Sequence, residues 1–161
     1  MGAHHFKLFL VPPGIQPLRD EEGIYVGDFL QSFQIADSIA ERLRQIFRRT
    51  NHWGDVEEYV SGDAWGSDLS IVRSDDGSIA EVLFRYAPCA DPIEKLREFV
   101  AIAQDAGCFL LEPSSDTIIA PDFEEVSRVL KAHHSFRFLS DPEGAIVEAA
   151  KKIKQKFPKQ T

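Results

Sequence analysis

The sequence predicts an α+β fold: a ferredoxin-like split βαβ sandwich, with an antiparallel or mixed sheet carrying helices on one face, plus two C-terminal helices. Three observations lead there. Apolar residues alternate with period two, or recur every three to four residues, in the order strand, helix, two strands, helix, strand. Turn signals at Pro12-Pro13-Gly14, Asp75-Asp76-Gly77 and Pro113-Ser114-Ser115 bound the extended runs. Two more helical patterns then close the chain. No internal repeat, low-complexity tract or long linker divides the 161 residues, which read as one domain, 1–161.

The first strand is FKLFLV, Phe6 to Val11, with Phe6, Leu8 and Leu10 on one face. Past an acidic loop at Asp20, Glu21 and Glu22, the run GDFLQSFQIADSIAERLRQIFRR spaces Phe29, Phe33, Ala36, Ile39, Ala40, Leu43, Ile46 and Phe47 as one long amphipathic helix, with Asp28 as its cap. DVEEYVSG and DLSIVRSDDGSIAEVLFRYAP are extended, and Asp75-Asp76-Gly77 folds the second into a hairpin because glycine accepts positive φ. Between them, Gly62 to Asp68 reads as a bulge or an excursion from the sheet edge. In ADPIEKLREFVAIAQDAG, Asp91 is placed as N-cap, Pro92 at the first helical position and Gly107 just past the end. Its buried stripe is Ile93, Leu96, Phe99, Val100, Ala103 and Ala106. CFLLEPSSDTIIAPD is a strand, a turn and a short return strand, Thr117 to Ala120. Helices follow over about Asp122 to Lys131 and Pro142 to Phe157, the latter with a stripe of Ile146, Ala149, Ala150, Ile153 and Phe157 expected to dock on its own domain.

Acidic residues outnumber basic ones, 26 to 18, for a net charge of −8. Such a surface repels phosphate backbones, which argues against nucleic acid, and complements a basic partner. The start MGAHHFKLFLVPPG lacks the pattern of a secretory signal and no apolar run reaches spanning length, so the chain reads as cytoplasmic with no membrane partner. Cys89 and Cys108 are too few for a disulfide framework and suit a reducing compartment.

No catalytic motif emerges. His133, His134, Ser135 and Asp141 contain the residue types of a hydrolytic triad but no strained nucleophile turn, and neighbouring histidines diverge on any regular element. Asp141-Pro142 reads as a helix cap. Neither His4-His5 nor His133-His134 has ligand spacing, His52 stands alone, and the glycines form no phosphate cradle, so no metal and no cofactor is expected. Cys89 precedes a helix N-terminus, but Asp91 and Glu94 oppose activation of its thiol; Cys108 reads as a small buried hydrophobe. Arg42, Arg44, Arg48 and Arg49, and the lysines from Lys151 to Lys159, lie near helix C-termini and complement the helix dipole.

The segment NHWGDVEEYVSGDAWGSD, Asn51 to Asp68, carries the interface signal: Trp53, Tyr59 and Trp65 interleaved with Asp55, Glu57, Glu58, Asp63 and Asp68. Aromatic anchors rimmed by charge are the composition of a partner-binding surface. The competing interpretation makes the tryptophans core or sheet-edge residues with the acids outside.

From Asp76 onward, the run DGSIAEVLFRYAPCADPIEKLREFVAIAQDAGCFLLEPSSDTIIAPD into HSFRFLSDP resembles small uncharacterised bacterial proteins of the polymorphic-toxin immunity kind. The matching positions are fold-making ones, and no functional residue carries over. The resemblance implies a cytoplasmic protein that neutralises one toxic enzyme by covering or distorting its site. The expected function is therefore non-catalytic protein binding. A small-molecule-binding or regulatory domain is the alternative, and a small enzyme with a site assembled only in three dimensions is the third reading. An exposed strand edge leaves room for a homodimer.

Overall fold

The computed structural model describes residues 5–23, 25, 29–30, 33–47, 49–60, 66–134, 136 and 142–156. The fold is α+β, built on an open antiparallel sheet of seven strands. In chain order the elements are β1 (Phe6–Val11), α1 (Asp37–Gln45), β2 (Arg49–Trp53), β3 (Val56–Val60), β4 (Asp68–Arg73), β5 (Ile79–Tyr86), α2 (Ile93–Asp105), β6 (Phe109–Glu112), β7 (Thr117–Ile119), α3 (Phe123–Ala132) and α4 (Pro142–Lys156). The strand order is β2-β3-β4-β5-β1-β6-β7, with every neighbouring pair antiparallel.

Alternation places the core. Phe6, Leu8 and Leu10 of β1, Leu69 and Ile71 of β4, Val82 and Phe84 of β5 and Leu110 of β6 join one buried cluster with Leu43 of α1, Leu96 and Phe99 of α2 and Leu130 of α3. Phe84 stacks on Phe99 with ring centroids 4.5 Å apart, and burying each such ring contributes about 1.5–3 kcal/mol. On the opposite face, Val11, Phe29 and Leu111 form a smaller cluster with Phe9, Tyr25 and Phe109. The β1 strand is thereby covered on both sides, as suits its position inside the sheet.

Four expectations change. The long first helix is confined to Asp37–Gln45, with Ala36 rather than Asp28 at its start; Asp28 lies outside the described residues. Upstream, the Leu30 N–H donates to the Ala80 carbonyl at 2.9 Å, so Phe29 and Leu30 are buried by pairing with the sheet instead of by a helical face. Downstream, Arg49–Trp53 is a strand, because Gly54, at φ +59, and Asp55 form a two-residue turn that pairs Trp53 with Val56. Asp91 does not cap α2: its carboxylate instead accepts from the Ser67 N–H at 2.6 Å and the Lys95 ammonium at 2.9 Å. Finally, Ile146, Ala150 and Ile153 of α4 are exposed and stand outside the core cluster, which draws on α1, α2 and α3; Phe157 and the side chain of Ala149 lie outside what the structure describes.

Other expectations stand. The Asp75-Asp76-Gly77 turn closes β4 onto β5 with Gly77 at φ +82. The helix expected over about Asp122 to Lys131 forms as α3, and Asp122 caps it by accepting from the Glu125 N–H at 3.1 Å. No described helix is long and apolar enough to cross a membrane.

Candidate functional site

Register divides the acidic-aromatic segment between the two faces of the sheet. Trp53 pairs with Val56, Glu58 pairs with Ser70, and Asp68 pairs with Arg85, so Trp53, Glu58 and Asp68 lie on the face away from the main core. Trp53 is 68% exposed at the turn of the β2–β3 hairpin, beside exposed Asp55. Beside it on that face are half-buried Val56 and Val72, and further along the same face Val60 and Leu83 are also only half-buried. Asp68 accepts from Arg85 Nε at 2.6 Å, and Glu58 lies 4.0 Å from the same guanidinium. Asp63 and Trp65 lie outside the described residues.

Tyr59 and Glu57 face the other way. Tyr59 is only 3% exposed, so its ring is core and no partner reaches it, a correction to its place among the interface residues. Its hydroxyl donates to Glu57 at 2.7 Å, and the same carboxylate accepts from Arg73 Nε at 2.8 Å and Arg44 Nε at 3.3 Å. Burial alone would raise the Glu57 pKa, but these hydrogen bonds outweigh it and hold the carboxyl down at about 2. Glu57 thus fastens α1 and β4 to β3. Arg42 does similar work, reaching Asp105 of α2 at 2.6 Å. The α1 arginines are tertiary ties as well as complements to a helix dipole.

A second arrangement lies at the far edge of the sheet. Glu112, 1% exposed at the end of β6, accepts from the backbone N–H groups of Ser114 and Ser115 at 2.9 and 3.0 Å and from their hydroxyls at 2.6 and 2.5 Å. His133 Nε2 lies 3.6 Å from the same carboxylate, and its ring meets Phe6 edge-on at 5.2 Å. Burial would raise the Glu112 pKa; hydrogen bonds from His133, Ser114 and Ser115 prevail and lower it to about 2. This turn, His133 and His134 line a cleft of about 610 Å³ that also touches Arg128 and Lys152, and a smaller cleft of about 300 Å³ lies toward His5 and Lys7.

The two histidines come together against expectation, with ring centroids 4.0 Å apart. His133 is the extended C-cap of α3, at φ −72 and ψ 142, so regular helix or strand periodicity does not govern where the pair points. Ser135 and Asp141 lie outside the described residues. Sequence reasoning missed Glu112, because the short-range turn signals belong to Asp, Asn, Ser and Thr, and a glutamate two residues before a serine carries none of its own.

The chemistry of this cluster is not that of an activated nucleophile. Ser114 and Ser115 each turn their hydroxyl proton to Glu112, whereas a catalytic serine gives it to a base able to carry it away. A carboxylate held near pKa 2 is a poor general base at neutral pH. Cys89 is exposed and Cys108 buried, with burial pushing the Cys108 thiol up to about 11. Among the described residues no group of three His, Cys, Asp or Glu side chains is placed to hold a metal ion. No protein-family model, curated protein or solved structure matches the chain.

Proposed function

We propose that the chain is a non-catalytic protein-binding module that meets its partner with the β2–β3 hairpin and the adjoining open sheet face. The observation that carries this reading is Trp53: a 68% exposed indole at the turn of an edge hairpin. Such a side chain is a costly surface residue and an efficient anchor when a partner desolvates it. Half-buried valines and Leu83 extend the apolar area, while Asp55, Glu58 and Asp68 supply a charged rim. With the net charge of −8, that rim favours a partner with a basic surface.

In its specific form the proposal is an immunity-type protein, cytoplasmic and acting by covering a bacterial toxin, as the resemblance in the second half of the chain implies. The finer fold assignment belongs with it. The order β4-β5-β1-β6, with α1 between β1 and the β2–β3 excursion and α2 between β5 and β6, supports a ferredoxin-like centre to which β2, β3, β7, α3 and α4 are additions.

The test is co-purification of the tagged protein with the product of the reading frame beside its gene, comparing wild type with Trp53→Ala. One stoichiometric partner, weakened tenfold or more by Trp53→Ala while the melting temperature holds, is the expected result. No partner, or capture indifferent to the substitution, overturns the reading.

A further inference from the structure

The β6–β7 turn is held from two sides more firmly than a connection of its length requires. From within, Glu112 takes the N–H and hydroxyl groups of both serines. From without, Arg19 Nη2 donates to Asp116 at 2.7 Å and to the Pro113 carbonyl at 2.6 Å, and the Tyr25 hydroxyl donates to Asp116 as well. Asp116 sits at φ +53, a left-handed conformation that costs a non-glycine residue roughly 1 kcal/mol and persists where its surroundings over-determine it. A turn fixed in this way gives its outward-facing groups a set position, which is the requirement of a binding site.

Proton counting shows what those groups offer. Ionised Glu112 can only accept, so the Ser114 and Ser115 hydroxyls must donate to it. Ser115 Oγ and Thr117 Oγ1 are 2.7 Å apart; because the Ser115 proton is already committed, Thr117 is the donor of that pair. All three hydroxyl protons therefore run inward, along Thr117 to Ser115 to Glu112 and along Ser114 to Glu112. Toward the cleft of about 610 Å³ the three residues present oxygen lone pairs, so a ligand resting on them must bring hydrogen-bond donors.

The helical part of the lining asks for something different. Arg128 of α3 and Lys152 of α4 line the cleft, their side chains 72% and 74% exposed. Their partners are the helix neighbours Glu125 and Glu148, the latter itself part of the lining, in exposed pairs of the kind that contribute little and yield readily to an incoming anion. Val129 and Ala132 add apolar surface to the same lining. The volume falls within the range of small-molecule sites.

We infer that this cleft binds a small organic anion rich in hydroxyl groups, of the class of sugar phosphates and sugar acids: its anionic head sits on Arg128 and Lys152, and its hydroxyls donate to Ser114, Ser115 and Thr117. The site is remote from the Trp53 surface and independent of it. Isothermal titration with four probes tests both halves of the inference. Glucose 6-phosphate and gluconate carry charge and hydroxyls; glucose has only hydroxyls, and inorganic phosphate only the charge. The first two should bind at least tenfold more tightly than the last two. The Arg128→Ala/Lys152→Ala double variant, exposed and outside the core, should lose at least tenfold in affinity for glucose 6-phosphate, and Thr117→Val a few-fold, with the melting temperature of the free double variant unchanged. No binding by any of the four, phosphate binding as tightly as glucose 6-phosphate, or an affinity indifferent to the double variant overturns it.

Discussion

Replacing Glu112 by Gln isolates the contribution of one buried carboxylate. Gln has nearly the same shape but no charge, and its amide nitrogen would face serine donors that now meet an acceptor. In the fold the carboxyl lies at about 2 against an ordinary 4.5, the hydrogen bonds from His133, Ser114 and Ser115 outweighing the effect of burial. At about 1.4 kcal/mol for each pH unit between those values, the ionised group stabilises the fold by roughly 3 kcal/mol at neutral pH. Because the folded pKa is the lower one, this stabilisation is fully present above about 4.5 and is lost as the pH falls toward 2. Urea unfolding of wild type and Glu112→Gln at pH 7, 5, 4 and 3 measures it. With a slope of about 2 kcal/mol per molar urea, the variant's midpoint should lie about 1 to 2 M lower at pH 7 and 5, with the gap narrowing at pH 4 and 3. Taking the difference between the two proteins removes the contribution of Glu57, which titrates over the same range. A gap that is independent of pH, or one below about 1 kcal/mol at pH 7, refutes the reasoning.

Two further outcomes follow from the same geometry. Gly54→Ala should cost about 1 kcal/mol by thermal melting, since a side chain there meets no atom within 4 Å and only the φ of +59 opposes it; an unchanged melting temperature counts against the β2–β3 turn. With iodoacetamide at pH 8, one thiol, Cys89, should react promptly and Cys108 only on unfolding, because burial both shields it and pushes its pKa to about 11; two fast thiols in the native protein refute that placement.

Period-two alternation made β1, β4, β5 and β6 legible, because a strand with one face in the core writes that face into every second residue. The first helix was over-read for a related reason. Phe29 and Phe33 fall on the helical period by coincidence, while the backbone hydrogen bond from Leu30 to Ala80, made across 50 residues, decides their conformation. The β2–β3 hairpin did have a local signal, Gly54-Asp55 between Trp53 and Val56, but the apolar spacing through Ile46 and Phe47 masked it. The candidate surfaces divide in the same way. Trp53 could be named from composition, whereas the burial of Tyr59 required knowing which face of β3 meets α1. Glu112 and His133 are 21 positions apart and meet only because the C-terminal end of α3 comes back to the end of β6, so no spacing rule brings the pair together. Asp91 shows the converse error: a sound capping signature was overridden by a partner, Ser67, from another part of the chain.

The two proposed sites occupy opposite ends of one sheet, and this makes their independence testable. Trp53 belongs to the β2 edge and the serine turn to the β6–β7 edge, so six inter-strand spacings of about 4.8 Å, roughly 29 Å in all, separate the outer strands. Energetic coupling over that distance needs an element with two arrangements. The strands between are poor candidates: Leu8, Leu69, Ile71, Val82, Phe84 and Leu110 are fully buried in one cluster, where close packing resists graded deformation. Saturating glucose 6-phosphate should therefore change the partner's Kd by less than about twofold, and by linkage the partner should change the sugar phosphate's affinity by the same factor. Titrating each ligand in the presence of the other checks both directions. A tenfold effect, equal in the two directions, would contradict the rigid-sheet argument and point to a segment joining the edges whose equilibrium both ligands bias.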